Sequence, residues 1–87
     1  MTLQQIIDDR IPFLKEQINN ANRPEENKTF QLQIDAIRSV NDIEKIESII
    51  EQKKELLKYC KDVYEFDRLF AELDALEWLQ RQIARYA

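Results

Sequence analysis

Six carboxylates crowd one stretch, Asp62, Glu65, Asp67, Glu72, Asp74 and Glu77, with Arg68 the one base among them. Paired carboxylates do general acid–base work when they converge in a cleft that drives their pKa values apart. At about 100° per residue, a helix puts Asp67 and Asp74 on one face and Glu65 and Glu72 on another, about half a turn away. That spread describes a solvated surface, or an acidic patch for a partner carried by Asp67 and Asp74. It assembles no catalytic pair.

The other reactive side chains are few. Cys60 is the single cysteine, so an internal disulfide and a cysteine-rich zinc site are both excluded. It falls on an apolar seam and reads as a small core hydrophobe, with Lys58 and Lys61 near enough to leave a reactive thiol as the alternative. The chain has no His, which removes Ser-His-Asp and Cys-His nucleophiles and His-bearing metal sites. It has no Gly, which removes the loops that cradle phosphates. No catalytic residue, metal site or cofactor is therefore expected. Lys54, Lys58 and Lys61 share a helical face, but Glu47 and Glu51 continue it and no aromatics interleave. With a net charge of −4, neither nucleic acid nor an anionic membrane is an expected partner. The charge suits a soluble chain and a basic protein partner.

Four helical stretches must position these groups. Thr2 followed by Gln5 forms a capping box that opens the first, and Leu3, Ile7, Leu14, Ile18 and Ala21 share its apolar face. Pro12 interrupts that pattern and predicts a kink or a restart. In "NNANRP", residues 19–24, an Asn is expected in the left-handed conformation that would otherwise fall to Gly, and Pro24 opens the next helix. "FQLQID" alternates like a strand, yet Phe30, Ile34 and Ile37 also make a helical stripe. A lone strand would have no partner here, so helix is the reading. Asn41 or Asp42 caps the third stretch, where Ile43, Ile46, Ile50, Leu57 and Cys60 recur. A turn around Lys61 and Asp62 separates it from the fourth. With 34% charged and 44% hydrophobic residues the chain is globular in composition. The expectation is all-α: one domain, residues 1–87, a small bundle of about four helices with a C-terminal antiparallel hairpin.

The fourth stretch sets the functional question. Phe66, Leu69, Phe70, Leu73, Leu76 and Ile83 line up as its core wall, and Glu77 falls among them. On the facing helix Lys53 interrupts the apolar seam, so either a Lys53–Glu77 pair across the hairpin fixes register, or Glu77 pairs with Arg81 four residues on and both stay at the rim. Trp78 points about 140° from the wall, with Ala71 and Ala75 on its side and Tyr64 and Tyr86 at the ends. Three coverings for this second face are open: the chain's own first two helices, a second copy, or another protein. Trp and Tyr are enriched at interface centres, and alanines let a backbone approach closely. Trp78, Ala71, Ala75, Tyr64, Tyr86, Asp67 and Asp74 are thus the expected partner-binding residues.

"FAELD", residues 70–74, resembles the Ser-Gln-Glu-Leu-Asp motif of the small sporulation-associated aspartyl-phosphate phosphatases, which are helical hairpins. The resemblance spans Ile43 to Leu79 and keeps Glu72, Leu73 and Asp74. Phe70 and Ala71 stand where the family has Ser and Gln, and Cys60 where its turn has Gly. The resemblance implies Asp74 as the residue for phospho-aspartate hydrolysis, and the departures put that activity in doubt.

The leading functional reading is a non-enzymatic protein-interaction module: a small cytosolic adaptor, inhibitor or regulator that binds a larger protein through its last helix. The expectation extends to a small phage or mobile-element protein, which such a type would suit. The alternatives are a structural homo-oligomer subunit, a homodimer with Trp78 and Tyr86 in its seam, and the phosphatase. No export signal follows Met1 and no apolar run approaches ~20 residues, so a cytoplasmic location is expected.

Overall fold

The computed structural model describes residues 2–86, and the side chain of Tyr86 lies outside what it describes. Helix α1 runs Leu3–Asn20, α2 Pro24–Arg38, α3 Ile46–Tyr59 and α4 Val63–Tyr86, with a single 3-10 turn at Ile43–Lys45. Among the described residues there is no strand. "FQLQID" is helical, and its stripe delivers Ile34 and Ile37 to the core.

Local chemistry accounts for the boundaries. At the start of α1 the Gln5 amide donates to Thr2 Oγ1 at 3.2 Å while the Thr2 amide donates to Gln5 Oε1 at 2.8 Å. The helix passes through Pro12 without restarting. Pro12 is exposed, where water can serve the Asp8 carbonyl that a proline cannot bond. The exit from α1 corrects the expectation of a left-handed Asn, because no described residue has positive φ. Ala21 is extended instead, at φ −73° and ψ 137°, and Arg23 at φ −125° and ψ 138°. Pro24 accounts for Arg23, because its ring clashes with an α conformation at the residue before it. Glu25 and Glu26 then meet the positive end of α2, and Arg38 its negative end.

Asp42 caps the 3-10 turn, accepting from the Glu44 amide at 3.0 Å. The turn between α3 and α4 falls at Cys60–Asp62, as expected. Asp62 fixes it by accepting from the Tyr64 amide at 2.8 Å, which satisfies a donor at the start of α4. The Cys60 thiol is half-buried there and donates to the Asp62 carbonyl at 3.3 Å.

Helix α4 is the element on which the others meet. It packs against α2 on one side and α3 on the other, and α1 lies across α2 and α4. Contacts between α2 and α4 run in step, Glu25 near Arg68 and Gln33 near Asp74, so these two helices are parallel. Helix α3 returns antiparallel along α4, bringing Ile46 near Gln80. Leu14, Ile34, Ile37, Leu76 and Leu79 are the most deeply buried side chains, and no described polar or charged residue joins them. The molecule measures 36 × 33 × 17 Å. Its radius of gyration of 13.2 Å exceeds the ~12 Å of a compact chain this long, as a slab requires. Helix α3 stands at the rim of that slab, packed chiefly on α4 and the 3-10 turn.

Candidate interaction surface

The buried arc of α4 comprises Leu69, Ala71, Leu73, Ala75, Leu76 and Leu79. Phe66 and Phe70 are absent from it. Phe70 is 59% exposed, and the two rings stack on each other with centroids 6.3 Å apart. The core face is therefore rotated away from them and toward Trp78. This one rotation corrects one expectation about the second face and selects one of its three open coverings. Ala71 and Ala75 are covered by the chain's own helices, so they are not available to a partner. Trp78 is half-buried and packs against the core cluster.

Helix α1 supplies the cover. The Arg10 guanidinium stands over the Trp78 ring at 4.4 Å and over the Phe13 ring at 4.5 Å. A planar cation between two aromatic faces is held by their quadrupoles and hides apolar area from water. Burial pulls the Arg10 pKa below its ordinary value, and the Asp74 carboxylate opposes that pull. A niche of about 130 Å³ beside Trp78 is lined by Arg10, Gln33, Asp74 and Arg81. Asp74 is exposed, and Gln33 Nε2 donates to its Oδ2 at 3.5 Å.

The same rotation corrects the ion pair. Lys53 pairs with Glu72, not Glu77, at 2.6 Å and with side chains only 25% and 14% exposed. Glu72 lies at the middle of the buried arc, whereas Glu77 sits toward the Phe66–Phe70 face. Glu77 instead meets Lys54 at 3.8 Å on the rim. Glu65 and Arg68 pair one turn apart on the surface, and that contact raises the Arg68 pKa.

Near the turn end of the α3–α4 hairpin the surface becomes apolar. Leu56, Tyr59, Val63, Tyr64, Phe66 and Phe70 are all exposed, Tyr64 at 83%. Tyr64 and Asp67 are the expected partner-binding residues that stay open within a groove, together with Leu32 and Arg68, in a hollow of about 440 Å³ between the starts of α2 and α4. Leu56 and Tyr59 border a second hollow of about 490 Å³ on α3. The sequence reading passed over these two. Their signal was present: both fall off the Ile46–Ile50–Leu57 seam. Tyr86 falls outside the described side chains.

Among the described residues no cluster of three or more His, Cys, Asp or Glu side chains could hold a metal ion, and no helix is long and apolar enough to cross a membrane. No protein-family model, curated protein or solved structure matches the chain.

Proposed function

We propose that this chain is a non-enzymatic protein-interaction module, an adaptor, inhibitor or regulator that docks a larger protein at the start of α4. The observation that supports it is the hollow between the starts of α2 and α4, where Tyr64 stands 83% exposed beside Leu32 within a charged rim. Exposed apolar surface rimmed by polar residues marks interaction sites. Tyr64 and Leu32 offer the anchoring pocket, and Glu25, Asp62, Glu65 and Asp67 give its rim a net negative charge against Lys28 and Arg68. The matching partner segment presents one or two apolar side chains flanked by Lys or Arg.

A photo-crosslinking residue placed at Tyr64, with a control at Gln17 on α1, tests the reading in the native host. A discrete cross-linked product at position 64 that disappears on Asp67→Lys supports it. No product at position 64, or the same product from position 17, overturns it.

A further inference from the structure

The Phe66–Phe70 face calls for its own occupant. Glu77 lies seven residues beyond Phe70, hence on nearly the same side of α4, and it pairs with Lys54. Lys54 therefore marks the side of α3 that flanks the two phenylalanines. Along that side run Glu47, Glu51, Lys54 and Lys58, all exposed, while Lys61 lies in the turn beyond the end of α3. Leu56 falls about 160° from Lys54, so the tyrosine-lined surface and the phenylalanine face look in different directions.

The charge order of this strip is antisymmetric about its midpoint, between Gln52 and Lys53. Glu51 and Lys54 lie at equal distances on either side of it, and so do Glu47 and Lys58. A helix dipole favours acids early and bases late in α3. It does not account for two stacked phenylalanines left open beside them. Like charges also recur four apart, Glu47 with Glu51 and Lys54 with Lys58, which a lone helix does not favour. An antiparallel second copy of the strip turns each of these repulsions into attraction. Glu47 then faces Lys58 of the second copy, Glu51 faces Lys54 of the second copy, and the two-fold axis passes near Lys53. The contact of Lys53 with Glu72 places this axis within about one turn of the level of Phe70, so it brings the phenylalanine pairs of the two copies together.

We infer that the Phe66–Phe70 face and the charged strip of α3 form an isologous, antiparallel homodimer interface. Self-complementarity about one axis is what a two-fold interface demands, and closure stops growth at two chains. The dimer leaves the Tyr64 groove of each copy free, so it stands apart from the partner reading and can fail without it.

Light scattering at rising protein concentration tests the inference on the intact chain. The expected mass climbs from 10.5 kDa toward twice that value. Phe70→Glu weakens the dimer at least about tenfold, as loss of a buried aromatic anchor does. Lys58→Glu alone and Glu47→Lys alone each weaken it several-fold, because each sets like charges across the axis. The double variant Lys58→Glu with Glu47→Lys regains wild-type association, with circular dichroism confirming that every variant is folded. A wild-type chain that stays at 10.5 kDa throughout overturns the inference. So does a dimer indifferent to Phe70→Glu. A double variant no tighter than the single ones overturns the antiparallel register.

Discussion

Helix α4 carries aromatic residues at both ends, and the two ends meet different fates. Near the C-terminal end Trp78 lies under Arg10 of α1, whose guanidinium also meets Phe13, beside Leu79, which is 0% exposed. Toward the N-terminal end Phe66 and Phe70 stack on each other in the open. Composition does not separate them. Coverage does: two helices, α1 and α2, reach the Trp78 side of α4, whereas α3, standing at the rim of a slab, covers one flank only. Hydrophobicity states what a side chain would gain from burial; topology decides whether anything arrives to bury it.

The largest effect that would break this contrast is in stability. Leu79→Ala should cost about 3–4 kcal/mol of unfolding free energy in chemical denaturation, as a fully enclosed leucine does. Phe70→Ala should cost less than about 1 kcal/mol in the monomer, since it opens no cavity. Similar losses at both positions would mean that the N-terminal half of α4 is as enclosed as the other half.

Trp78→Ala comes next, at about 2 kcal/mol for a half-buried indole. Arg10→Ala should cost about 1 kcal/mol, and a double-mutant cycle should return a coupling near 0.5–1 kcal/mol for the stacked cation. Zero coupling would reduce Arg10 to a bystander at that end.

The polar pairs sharpen the contrast at smaller scale. Removing Glu72 leaves Lys53 half-buried without its partner, so Glu72→Ala should cost about 1–2 kcal/mol. Glu77→Ala removes a rim contact at 3.8 Å and should change stability by less than about 0.5 kcal/mol. The reverse ranking would restore Glu77 to the seam.

Much of the architecture was legible because it rests on local signals. The Thr2 capping box, Pro24 at the start of α2, the Asp42 cap and the turn at Asp62 each act within a few residues of chain. The face of α4 was harder to read. Its apolar residues cover almost the whole circumference, so the helical wheel offers two core faces and sequence has no means to choose. Taking Phe66 and Phe70 as core rotated the inferred wall, drew Glu77 into it and turned Trp78 out. Placing α2 and α1 against Ala71 and Ala75 requires knowing that α2 runs parallel to α4, a long-range fact no local pattern encodes. Tyr64 and Asp67 stood out in the sequence as an end of the Trp78 face and part of an acidic patch, but the groove that holds both needs the start of α2 beside them, and Leu56 and Tyr59 gain meaning once α3 stands at the rim.

One measurement tests the contrast most directly. Trp78 is the only tryptophan, so acrylamide quenching of its fluorescence reads its coverage alone. Phe70→Trp in a Trp78→Phe background moves the same probe to the other end of α4. At concentrations where light scattering shows a monomer, the wild type should emit to the blue and quench several-fold more slowly than the moved probe. Equal quenching at the two positions, or faster quenching at position 78, would contradict the account.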